Sequence, residues 1–157
     1  MVIDEIVARC ATAAVVLTVI TAYPTGAHLN VVLIGQEGVS FDGLGMPPGV
    51  AARMQEQFGR SFIDPDPFEL SVAYDDGRVA RVFDWGTDEP QAPPVLSMEG
   101  AGGGGGFKFV YWLHPLPAEG DLELRCRWGS QGLADSRRRI DGQALRATAA
   151  RARPIWP

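Results

Sequence analysis

Apolar and polar positions alternate with a period of two through most of this chain, the signature of strands with one covered face. The clearest case is 121–128, where Leu122, Leu124, Cys126 and Trp128 alternate with Glu123, Arg125 and Arg127. Residues 68–74 and 78–83 alternate on either side of Asp75-Asp76-Gly77, a turn whose residues tolerate positive φ, so a hairpin is predicted there. Phe68, Leu70, Val72 and Tyr74 share one of its faces. Residues 13–22 and 28–35, rich in Val, Ile, Leu and Thr, form a second hairpin about the break Tyr23-Pro24-Thr25-Gly26-Ala27. Strict alternation sets Val15, Leu17 and Val19 on one face of its first strand and Val16, Thr18 and Ile20 on the other. Both faces are partly apolar, so the outer one invites a cover of its own. Further strands are expected at 95–99, 107–114 and 135–140.

The period changes twice. Val50, Met54 and Phe58 recur at helical spacing, with Pro48 suited to a first helical position and Gly59 to a stop. This predicts a short helix over 49–58 inside an irregular insert at 36–66. At 141–153, Leu145, Thr148, Ala149 and Ala152 form one stripe behind Asp141, a good N-cap, and Pro154 ends the element. About eight antiparallel strands with Pro- and Gly-rich turns and a short C-terminal helix predict an all-β fold. The expected form is one sandwich domain over 1–157, immunoglobulin-like in general build.

Composition changes this picture little. The 157 residues suffice for one core, and 46% hydrophobic against 21% charged residues is a globular balance. The opening residues 1–10 carry acids where a secretion signal carries basic residues, and the apolar run 13–22 is shorter than the ~20 residues of a membrane span. A cytoplasmic protein without membrane contact is expected, and two cysteines suit a reducing compartment. Net charge is −5, yet residues 121–157 hold eight arginines against four acids. Such asymmetry can steer a partner or pair two copies.

The glycines at 100–106 satisfy G-x-G-x-x-G through Gly100, Gly102 and Gly105, but phosphate cradling needs a helix N-terminus directly behind the loop. Here the β-prone stretch 107–114 follows, so the run reads as a flexible hairpin connection and no nucleotide cofactor is expected. Cys10, His28, His114 and Cys126 are the only Cys and His residues and lack ligand spacing, so no metal is expected. No nucleophile elbow is present, and Cys126 on a covered face would be inert. Asp64, Asp66 and Glu69 read as turn chemistry. Arg137-Arg138-Arg139 is too small a basic run for nucleic acid in a chain of pI about 5.0. Trp112 faces away from Phe109 and Tyr111 on its strand, as a platform for a sugar or a partner or as a surface covered by Ile155 and Trp156.

At 15–35, 69–80, 102–128 and 139–156 the chain resembles a group of actinobacterial proteins. The shared order is a Y-P-T-G hairpin, a D-G-R hairpin, a polyglycine run, then W-x-x-P-L-P and L-x-L-x-C-x-W. The resemblance implies neither an activity nor functional residues. No catalytic residue is assigned. The expected role is non-catalytic: binding a protein partner, or self-association burying Val16, Ile20, Val32 or Trp112. Trp112, Tyr111, His114, Arg137 and Arg139 are the candidate ligand or partner surface. The alternatives are a small-ligand or carbohydrate-binding module with Trp112, Tyr111 and the glycines as a flap, and a hydrolase built on His114 and nearby acids.

Overall fold

The computed structural model describes residues 2–39, 41, 48–59, 64, 66–82, 92–103 and 106–153. Among the described residues nine strands form two antiparallel sheets. The first sheet holds β1 (Val2–Arg9), β2 (Ala13–Tyr23), β3 (Gly26–Gly35), β7 (Phe107–His114) and β6 (Val95–Gly103), in the order β1-β2-β3-β7-β6. The second holds β5 (Val79–Arg81), β4 (Phe68–Tyr74), β8 (Leu122–Trp128) and β9 (Leu133–Ile140), in the order β5-β4-β8-β9. From β2 onward these are the orders A-B-E-D and C′-C-F-G of an immunoglobulin-like sandwich. β1 is an addition ahead of that plan. The disulfide that ties B to F in antibody domains is not made here: Cys126, on the F-equivalent strand β8, is a free thiol, as is Cys10.

The core lies between the sheets. Val15, Leu17, Leu29, Val31, Leu33, Phe109 and Leu113 from one side meet Leu70, Val72, Leu122, Leu124 and Trp128 from the other. Trp128, fully buried, donates its indole N–H to Asp64 Oδ2 at 3.3 Å, so the polar edge of the ring is not orphaned. One flank is closed by Arg138, which points inward from β9 and pairs with Glu5 of β1. An inward charge on an edge strand opposes further pairing there.

Two expectations are corrected by bulges. The ladder between β2 and β3 shifts between Leu17 and Val19, so alternation restarts one residue out of phase. Ile20 and Ala22 therefore turn into the core, and Ile20 is fully buried rather than available to a second copy. β1 was not expected because its sequence does not alternate: its pairing with β2 breaks between Val2 and Glu5 and again between Ile6 and Ala8, and Asp4 has φ 44°. A third correction concerns the glycines. β6 does not stop at Glu99 but runs to Gly103, with Gly100 opposite Val110 and Gly102 opposite Lys108. Residues 104–105 lie outside the described residues. Gly106 permits close approach, since a Cβ there would meet the Leu33 carbonyl oxygen at 2.7 Å.

α1 spans Pro48–Phe58, one residue longer at its start than expected, and Gly59 stops it with φ 67°. α2 spans Gly142–Ala149. Asp141 caps it by accepting from the Ala144 N–H at 2.9 Å. Leu145 and Ala149 are buried against the core, and Gly142 is pressed onto the Gly120 carbonyl. Among the described residues no helix is long and apolar enough to cross a membrane.

Candidate functional site

Among the described residues no second sheet covers the outer face of the five-stranded sheet. Across its middle, Ile6, Val16, Val32 and Lys108 lie in one row of register. Nearer the β2–β3 turn, Thr21, His28, Trp112 and Ser97 form another. At this end a pocket of about 660 Å³ opens, lined by Tyr23, Pro24, Thr25, His28, Glu99, Trp112, Ala152 and Arg153. That volume is in the range of small-molecule sites.

Each wall has a local cause. The bulge in β2 re-aims Thr21 and Tyr23 outward, so Tyr23 reaches the rim of the face. Gly26 opposes Tyr23 across the turn, and a Cβ on it would strike the Trp112 ring at 2.5 Å; glycine lets the indole lie down on the hairpin. Tyr23, His28 and Trp112 then form a continuous aromatic floor, with centroids 5.0–5.8 Å apart and planes inclined at 51–79°. His28 Nε2 meets Glu99 Oε2 at 2.7 Å across β7. Glu99 itself sits at the irregularity between Met98 and Gly100 in the β6–β7 ladder, which tips its carboxylate over the sheet. Ala152 and Arg153 arrive from the end of α2, where the Arg151 and Ala152 N–H groups bond back to the Thr148 and Ala149 carbonyls at 3.1 and 3.0 Å.

The residues expected to form one surface are separated. Trp112 is in the pocket. Tyr111, adjacent on β7, points the opposite way and is buried between the sheets, where desolvation raises its phenol pKa, so it is not a surface residue. His114 shares the outer face, but its Nδ1 lies 2.7 Å from the Thr25 carbonyl oxygen; it ties down the β2–β3 turn and meets no acid there. Arg137 and Arg139 belong to β9 in the other sheet, paired with Glu123 and Asp121. Ile155 and Trp156 lie outside the described residues. Nothing in the sequence pattern marks Tyr23, His28, Glu99 or Arg153, which also line the pocket, as ligand contacts. The pattern marks only Trp112, because alternation along one strand is legible while register between strands is not.

The thiols and the acids Asp64, Asp66 and Glu69 fall elsewhere. Cys126 is in the core, where burial pushes its pKa up to about 12. Cys10 sits at the β1–β2 turn with its Sγ 3.3 Å from the Gln131 carbonyl, and hydrogen bonding by Thr12 lowers its pKa. Asp64 accepts from Ser130 at 2.7 Å, and Arg127 spans Asp66 and Glu69 at 2.7 and 2.8 Å, so these acids close a loop onto β8. Among the described residues no cluster of three His, Cys, Asp or Glu side chains could hold a metal ion.

No family model matches the chain, and neither a curated protein nor a solved structure matches it.

Proposed function

We propose that the protein is a non-catalytic binding module whose pocket takes a small polyhydroxylated ligand, a sugar or cyclic polyol. The carrying observation is the aromatic floor of Tyr23, His28 and Trp112 with Glu99 and Arg153 at its rim. A sugar ring offers an apolar face to stack on such a floor and hydroxyls to bond a carboxylate and a guanidinium. The His28–Glu99 pair fixes one ring nitrogen, as in many acid–base sites. Among the described contacts, though, no hydroxyl or thiol nucleophile is hydrogen-bonded to His28, which favours binding over hydrolysis. Titration calorimetry with a monosaccharide panel tests this. Binding at millimolar or tighter affinity, weakened at least about ten-fold by Trp112→Ala with the thermal midpoint kept, is the expected result. No binding across the panel, or binding indifferent to Trp112→Ala, overturns it.

A second reading, self-association, draws on the outer apolar row: Ile6 and Ile34 are 53% and 45% exposed, flanking half-buried Val16 and Val32. Light scattering on the wild type and Val32→Asp separates it from ligand binding, since Val32 does not line the pocket.

A further inference from the structure

The charges at the pocket rim bear on which polyol fits. Glu99 is already engaged, with Oε2 on His28 at 2.7 Å; among the described residues Oε1 has no hydrogen-bond partner. Arg153 differs from six other arginines of the chain. Arg78, Arg125, Arg127, Arg137, Arg138 and Arg139 all pair with carboxylates. Arg153 lines the pocket, and among the described residues it has no hydrogen-bond or ion-pair partner. Nor is it on a loose tail, because the backbone up to Ala152 is hydrogen-bonded to the last turn of α2. An exposed arginine lining a pocket with an aromatic floor brings a five-donor group suited to a planar anion.

Resting on the pocket reading above, we infer that the ligand is an anionic sugar or cyclic polyol, its carboxylate or comparable anion on Arg153, one face on Trp112 and a hydroxyl on Glu99. The hydroxyl donates to the free oxygen of Glu99, so the acid at the rim orients the ligand instead of repelling it. Arg153 also lies just beyond the negative end of α2, and compensating that end is the ordinary use of a cation there. The two roles predict different measurements.

The test is calorimetry on the full chain with glucuronate and glucose at low and high salt, for the wild type, Arg153→Gln and Arg153→Lys. Glucuronate is expected to bind at least about five-fold more tightly than glucose, the scale of one partly exposed ion pair. Arg153→Gln should erase that preference, Arg153→Lys should restore part of it, and salt should weaken glucuronate alone. Equal binding of the two sugars, both weakened by Trp112→Ala, overturns the inference and leaves the pocket reading standing. An Arg153→Gln variant with a lower thermal midpoint and an unchanged preference assigns Arg153 to the helix end and also overturns it. Failure of both sugars to bind overturns the pocket reading itself.

Discussion

Replacing Gly142 with alanine tests whether α2 is seated on the end of the sandwich, and two effects of opposite sign make the outcome informative. Inside a helix alanine is better than glycine by about 0.8–1 kcal/mol, and by less at the first helical position, where Gly142 stands. Against this, a Cβ on Gly142 would lie 2.0 Å from the Gly120 backbone oxygen and 3.1 Å from an Arg146 guanidinium nitrogen. The guanidinium can swing away, but the carbonyl cannot. Gly120 is held at φ 69°, and on its other side a Cβ position would already be 2.5 Å from the Asp75 carboxylate. The helix must therefore retreat, stretching the 2.9 Å bond from the Gly142 N–H to Asp121 Oδ1 and unpacking Leu145, which is fully buried. Overpacking of this kind costs about 1–3 kcal/mol, which exceeds the propensity gain. A net loss of about 1–2 kcal/mol corresponds to a fall of roughly 3–6 °C in the thermal midpoint for a chain of this size. Urea and thermal unfolding followed by far-ultraviolet circular dichroism measure it, with the exposed neighbour Gln143→Ala as the propensity control. A Gly142→Ala protein as stable as the wild type or more so would refute the seating of α2 against the β7–β8 turn.

Other outcomes follow from the same structure. Gly26→Ala should press on both the Leu113 carbonyl oxygen and the Trp112 indole, lowering the thermal midpoint and weakening sugar binding at least about ten-fold, read by thermal unfolding and calorimetry; unchanged stability and affinity would contradict the close contact. At pH 8 a thiol reagent should label Cys10 in the native protein and Cys126 only after denaturation, which counting of labels by mass spectrometry checks. Because the folded Cys126 pKa is raised to about 12, its contribution to stability is whole below the unfolded value near 8.5 and is lost as pH climbs toward 12; Cys126→Ala should flatten that alkaline limb of the urea midpoint. Glu69 behaves oppositely: its bond from Arg127 holds its pKa down, so stability is present above about 4.3 and is lost as pH falls through the folded value, and Glu69→Gln should flatten the acid limb.

The sandwich was legible because its signal is local. Leu122, Leu124, Cys126 and Trp128 announce a covered face one residue at a time, and Asp141 announces a helix start. What stayed hidden depends on phase and partner. The bulge near Thr18 reverses Ile20 without leaving a mark in composition, and β1 pairs only by way of two such shifts. Glycines that look like slack are ladder residues, because nothing in a glycine states whether its backbone is hydrogen-bonded. The pocket was the least visible part. His28 and Glu99 are 71 positions apart and meet through a register that no single strand encodes.

The walls of the pocket come from the first hairpin, from β6, from β7 and from two residues just past α2, so no fragment shorter than 23–153 contains them all. A chain emerging from the ribosome completes the floor when Trp112 pairs with β3, yet it lacks the guanidinium until position 153 has emerged and α2 has docked. On the proposed reading, ligand capture would thus require α2 to have been made and docked, and a cleavage within α2 would silence recognition while leaving every described strand in place.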